Sequence, residues 1–262
     1  MLQSRIDENV RLDIDGAVAT VSINRPEARN TLKRGTGAEI HRAVRDVADN
    51  KDIRVLIFRG VGDDFCCGAD IKTSDKAGDP APEPSFVTYQ IAVLLHEMPQ
   101  VTISAIRGGC AGAGFGWACA SDFRVGDNTA VMNTAFLDVG VAGDMGVPWT
   151  LPRIIGAGRA RDLTFFPRKV RAEEAKSLAL LDRLWPVDEF EIELRKFSGA
   201  LAASAPLALT AIKANFVQAE QTDFRGFIAL EAERHIRLLQ TADRYEAFRA
   251  WLEKRPPVFT GR

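Results

Sequence analysis

Arg107-Gly108-Gly109-Cys110-Ala111-Gly112-Ala113-Gly114-Phe115-Gly116 holds five glycines in ten residues. It follows Val101-Thr102-Ile103-Ser104-Ala105-Ile106, a β-branched run that predicts a buried strand. It leads into Trp117-Ala118-Cys119-Ala120, which predicts a short buried helix. A strand, a glycine loop and a helix start aim several free backbone N–H groups at one spot. Such a spot holds an anion, or an oxygen that becomes one during a reaction. Close packing of a helix on a sheet is the other use of small residues here. A dinucleotide-binding loop is excluded, because no G-x-G-x-x-G register can be drawn. A P-loop is excluded, because no Gly-Lys-Ser/Thr follows. An oxyanion hole and plain close packing remain.

The 262 residues suit one large domain, or a domain with an appendage. A formal net charge of −1 offers no global field for nucleic acid or an anionic membrane. No apolar run reaches the roughly 18 residues of a membrane span. Met1 to Glu8 lacks the apolar core of a signal peptide, so a cytoplasmic protein is expected. Cys66, Cys67, Cys110 and Cys119 form no C-x-x-C, and buried reduced thiols are the simplest account. His41, His96 and His235 are scattered, and no cluster has ligand spacing, so no metal is expected.

Val10–Ile14 and Ala17–Ile23 alternate around Asp15-Gly16, which predicts a β-hairpin. Thr36-x-x-Glu39 resembles a capping box ahead of a helical stripe at Ile40, Val44 and Val47. Val55-Leu56-Ile57-Phe58 predicts a buried strand. Thr73 to Ser85, rich in Pro, Asp, Gly and Ala, predicts an exposed insertion. Helices are expected at 86–98, 147–155 and 172–180, and short strands at 122–125 and 130–132. From about Val187 four amphipathic helices follow, near 188–204, 207–221, 224–240 and 244–253. Two short strands per helix hint at a coil of stacked units, not an open doubly wound sheet. The expected class is α/β, with a core over 1–186 and a helical region over 187–262.

Several stretches resemble the crotonase (enoyl-CoA hydratase/isomerase) superfamily. They are Asn24-Arg25-Pro26-x-x-x-Asn30, Phe65-Cys66-Cys67-Gly68-Ala69-Asp70-Ile71, the glycine loop, Leu151-Pro152-Arg153-Ile154-Ile155-Gly156 and Lys254–Arg262. They keep the family's order over nearly the whole chain. The resemblance implies a crotonase-like spiral of ββα units with a C-terminal α-helical trimerisation region, in homotrimers or dimers of trimers. It implies an acyl-CoA ligand, with coenzyme A as part of the substrate and no further cofactor. It puts the two oxyanion-hole N–H groups on Ala69 and Ala113. The second position is usually Gly in the family. It places CoA or substrate contacts at Ala28, Arg29, Cys67, Ala69, Ile71, Lys72, Phe136 and, from the C-terminal tail, Phe259.

The family's water-adding members use two glutamates. Their positions fall on Gly116 and Phe136, so both carboxylates are absent. Asp144 matches the aspartate of dienoyl-CoA isomerases and of ring-modified phenylacetyl-CoA isomerases. Chlorobenzoyl-CoA dehalogenases also carry an aspartate there. Their tryptophan falls on Phe136 and their histidine at or near Tyr89, which disfavours that chemistry. The other reading of Asp144 is an N-cap for the helix near Val147. Phe115, Phe136 and Val141 are expected to keep the site dry and raise the Asp144 pKa. Asp138 is a weaker candidate, pointing outward by alternation. Tyr89 and His96 are candidates for the pocket lining, with core packing or solvent exposure the preferred reading for each. The expected function is double-bond isomerisation with Asp144 as acid/base. An atypical hydratase and a non-catalytic acyl-CoA binder are the alternatives.

Overall fold

The large sheet begins as an antiparallel ribbon of β1 (Gln3–Ile6), β2 (Val10–Asp15) and β3 (Val18–Ile23). In the computed structural model, which describes residues 3–71 and 85–262, the expected hairpin forms, with its turn at Gly16-Ala17, one residue later than the Asp15-Gly16 of the sequence reading. α1 (Thr36–Asp49) then leads to β4 (Val55–Gly60), and α2 (Phe86–Glu97) leads to β5 (Val101–Ile106). The glycine stretch supplies β6 (Gly109–Ala111) and α3 (Ala113–Ala120), so this helix starts four residues before Trp117. β7 (Phe123–Asp127), β8 (Val131–Asn133), α4 (Val147–Ile155), α5 (Ala157–Phe165), β9 (Val170–Arg171), α6 (Ala172–Ser177) and β10 (Arg183–Trp185) follow. The expected insertion lies outside the described residues, except for Ser85.

The order in the large sheet is β1-β2-β3-β4-β5-β7-β10, parallel from β3 onward. A small second sheet has the order β6-β8-β9, and an isolated parallel bridge joins Cys66 to Cys110 at its margin. Each turn of the coil therefore adds one strand to the large sheet and a short segment to the small one. β4 is followed by Cys66, β5 by β6, and β7 by β8. This is the crotonase spiral.

Both faces of the large sheet are covered, which is why Val55–Phe58 of β4 is an unbroken apolar run and β5 buries even its polar Thr102 and Ser104. Leu56 and Phe58 face the interior of the spiral, where the Phe58 ring meets Phe65 and Trp117 edge-on at 5.6 and 5.8 Å. Val55, Ile57, Ile103 and Val125 face Phe190 and Leu194 of α7 (Phe190–Ala202).

The capping box does not form. Gly35 caps α1, and the Glu39 carboxylate accepts instead from the backbone N and Nδ2 of Asn9, both at 2.8 Å. Two donors from one asparagine outcompete a single amide of its own helix.

α8 (Pro206–Ala219), α9 (Phe224–Leu238) and α10 (Ala242–Glu253) complete the chain. Lys213 fastens α8: its Nζ lies 2.7 Å from Asp122 Oδ2 and donates to the carbonyls of Leu95 and Gln100. Phe216, Phe224 and Trp251 point outward and are 73, 79 and 74% exposed. The terminal tail is tied down by α10. Asp243 accepts from the N–H groups of Thr260 and Gly261, and Glu246 pairs with Arg255. No single helix among the described residues is long and apolar enough to cross a membrane.

Candidate active site

The segment Phe65–Asp70 threads between two backbone neighbours. On one side Cys66 N donates to Gly109 O at 3.0 Å, and Ala111 N donates to Cys66 O at 2.9 Å. On the other side Leu32 N donates to Gly68 O at 2.8 Å, and Asp70 N donates to Leu32 O at 3.0 Å. A parallel bridge of this kind uses residues 68 and 70 and turns the amide of Ala69 the opposite way. Ala113 is the first residue of α3, so its N–H has no acceptor within that helix.

The residues just ahead of these two amides touch. A Cβ on Gly112 would lie 3.5 Å from Gly68 Cα, and one on Gly68 would lie 3.3 Å from the Ala111 carbonyl oxygen. Gly68 and Gly112 have φ of +83° and +56°, which glycine adopts freely. A Cβ on Gly114 would run into the Cys66 carbonyl oxygen and lie 2.7 Å from Cys66 Cβ. Close packing and donor presentation, alternatives in the sequence, are thus one arrangement: packing at the glycines is what brings the two loops together.

The other matching stretches hold this crossing in place. Asn30 donates to the carbonyls of Val61 and Asp64 and accepts from Arg25 N. Arg25 pairs with buried Asp70 at 3.1 Å. Arg29 grips Asp64 with two N–H groups at 2.9 and 2.8 Å, and Asp64 also accepts from Gly109 N at 2.6 Å. Burial opposes ionisation of Asp64, but Arg29 and the Gly109 amide outweigh it and hold the carboxyl below its ordinary value. Burial pushes the Cys66 thiol up to about 12 and Cys67 up to about 11, so both are neutral thiols at pH 7.

Asp144 lies against the first turns of α3. Ala113 and Gly116 share a face of that helix, three residues apart. A Cβ on Gly116 would sit 2.6 Å from Met145 Cβ and 3.0 Å from the Asp144 carbonyl oxygen. The Asp144 carboxylate accepts from Met145 N at 3.0 Å. It does not cap α4: Gly146 is the cap residue, with no side-chain bond. Burial raises the Asp144 pKa, and the Met145 N–H and the Tyr89 hydroxyl partly oppose the rise. Tyr89 is therefore a site residue, where the sequence favours core packing or solvent exposure. Tyr89→Phe should shift the acidic limb of the rate–pH profile to higher pH, because the hydroxyl that favours the Asp144 anion is gone. A pH titration of kcat/KM checks this.

Arg29 and Cys67 lie against Gly109 of the glycine loop, and Arg29, Ala69 and Ile71 are exposed while Ala28 and Cys67 are half-buried. Lys72 lies outside the described residues. Two expectations need correction. Phe136 is 3% exposed and packs in the core, so it backs the site, while Val141, expected in a dry lining, is 47% exposed. Phe259 is held away from the crossing in its own chain. Arg54, just before β4, donates to its carbonyl, and the glycine loop lies at the other end of the strands. Asp138 is exposed.

A two-sheet spiral with paired glycine loops defines a crotonase-fold protein. The enoyl-CoA hydratase/isomerase family profile matches residues 13–262. The crotonyl-CoA hydratase of Syntrophomonas wolfei is 30% identical over 254 residues, 96% of this chain and 98% of that protein. The mitochondrial Δ(3,5)-Δ(2,4)-dienoyl-CoA isomerase of Rattus norvegicus is 28% identical over 254 residues, 91% of this chain and 77% of that protein. The crystal structure of an enoyl-CoA hydratase from Bacillus anthracis superposes with a TM-score of 0.89 at 27% identity, covering 97% of this chain and 100% of that one. The chain belongs to the enoyl-CoA hydratase/isomerase family.

Proposed function

We propose that the protein moves a double bond in an unsaturated acyl-CoA, with Asp144 as its acid/base. The observation that carries this reading is the pairing of Asp144 with Gly116. A half-buried carboxylate of raised pKa adjoins the helix turn that begins at Ala113. The position where the hydratase glutamate would stand has no room for a side chain.

The amides of Ala69 and Ala113 hold the thioester oxygen. Asp144 takes a proton from the α carbon of a 3-enoyl thioester, and the electron pair moves onto that oxygen as a dienolate. Two fixed donors stabilise the charge where it develops. The protonated Asp144 then gives its proton to the γ carbon, leaving the double bond between the α and β carbons. The carboxylate is regenerated and no water is consumed. A raised pKa suits a group that must both take and return a proton. CoA runs over Ala28, Arg29, Cys67 and Ile71 and is the only cofactor-like group needed. The exposed Phe216, Phe224 and Trp251 fit a homotrimer or a dimer of trimers, since apolar area of this kind calls for cover. Four free thiols fit a cytoplasmic setting.

The test is an acyl-CoA panel incubated with the protein in heavy water and read by mass spectrometry and NMR. Deuterium incorporation without added water mass is expected. Added water mass would establish a hydratase, and neither change would establish a binder.

A further inference from the structure

A groove of about 210 Å³ lies between α2 and the start of α4, and Met145, the residue next to Asp144, is part of its wall. Tyr89, Val93 and His96 are spaced four and three residues apart and share one face of α2. Tyr89 interacts with Asp144, and Val93 and His96 line the groove. Met145 and Trp149 stand opposite. The groove therefore starts beside the reacting carboxylate and runs one to two helical turns, roughly 5–10 Å, away from it. Its far end is polar. His96 Nε2 lies 2.8 Å from Glu220 Oε2, and the imidazole sits edge-on to the Trp149 ring at 5.3 Å. Glu97 lines the same end.

We infer that this groove takes the distal part of an uncharged acyl chain of about eight carbons, closed by the His96–Glu220 pair, and that it turns away chains ending in a carboxylate. The inference rests on the acyl-thioester reading of the Asp144 site. A four-carbon chain ends at Asp144, so about four further carbons of an eight-carbon chain span the 5–10 Å run, within a volume that has room for about seven groups of ~30 Å³ each. The wall of Val93, Met145 and Trp149 is apolar and suits methylenes. Glu97 and Glu220 line the chain end and outnumber the guanidinium of Arg153, which stacks on Trp149 at 3.7 Å, so a second carboxylate would face an excess of like charge. A shorter acyl group reaches Asp144 but leaves the groove unfilled.

Binding of saturated esters tests this without any turnover. Calorimetry with the full chain should show octanoyl-CoA binding about tenfold or more tighter than butyryl-CoA. Suberyl-CoA, the eight-carbon ester with a terminal carboxylate, should bind about tenfold more weakly than octanoyl-CoA. Val93 is 41% exposed and accepts a larger side chain. Val93→Trp should bring octanoyl-CoA to within about twofold of butyryl-CoA and leave the latter unchanged. Glu220→Gln, at a surface position, should narrow the suberyl gap alone. Equal binding of octanoyl- and butyryl-CoA would overturn the groove and leave the Asp144 reading standing, as would an undiminished octanoyl preference in Val93→Trp. Failure of all three esters to bind would overturn the thioester reading itself, and the groove with it.

Discussion

Asp144→Asn is expected to lower turnover of the true substrate by about 10²–10⁴-fold, the usual span for a lost general acid/base. The same variant should melt at an equal or higher temperature at pH 7. Burial raises the Asp144 pKa above its ordinary 3.8, so folding favours the protonated form. The stability this contributes is complete below the unfolded carboxyl's value and is lost as pH rises through the folded one. At pH 7 the native state carries a charge that its surroundings disfavour. Asparagine removes that charge and keeps an oxygen to accept from Met145 N. Turnover and calorimetric melting measured on one preparation check both halves. Unchanged turnover would remove Asp144 from the chemistry.

Gly114→Ala is the second large effect. A methyl group there collides with the Cys66 backbone, so α3 or the Cys66–Asp70 segment must give way. Overpacking of this sort costs about 1–3 kcal/mol of stability. If the two amides also part, losing one oxyanion donor costs about 10²–10³-fold in kcat. Gly199→Ala is the control. It lies in the last turn of α7, with nothing within 4 Å of the added carbon, and should stabilise by about 0.5–1 kcal/mol. Denaturant unfolding and kcat separate the two variants. A stable, fully active Gly114→Ala would show that the crossing tolerates widening.

The strands that carry the spiral are legible because burial on both faces favours apolar and β-branched sequence, unbroken in Val55–Phe58 and interrupted only by buried Thr102 and Ser104 in Val101–Ile106. The elements that escape such reading are those whose stability comes from distant partners. β10 is three residues, Arg183-Leu184-Trp185, placed by pairing with β7 and by the Trp185 ring against Phe190 and Phe197. α5 buries just Ala160 and Leu163 and so lacks a strong stripe. At the candidate site, glycine spacing announces Gly112, whose φ of +56° favours glycine, and Gly114, where close approach admits nothing larger. Tyr89 gives no such signal: its partner lies 55 positions on, and a lone tyrosine on a helix has no local pattern. Phe259 is misplaced for a related reason, since a terminal motif says nothing about which end of the sheet the tail is tied to.

The contact between Gly116 and Met145 also constrains how this chain can change. Adding a second carboxylate at 116 while Met145 stays would overfill the turn. Trimming Met145 first would leave a void beside Asp144. Each step alone lowers fitness of the fold, so the two substitutions are tolerable chiefly together. A second carboxylate beside Asp144 lies across a valley crossed by paired mutations, and libraries that vary one position at a time would not find it.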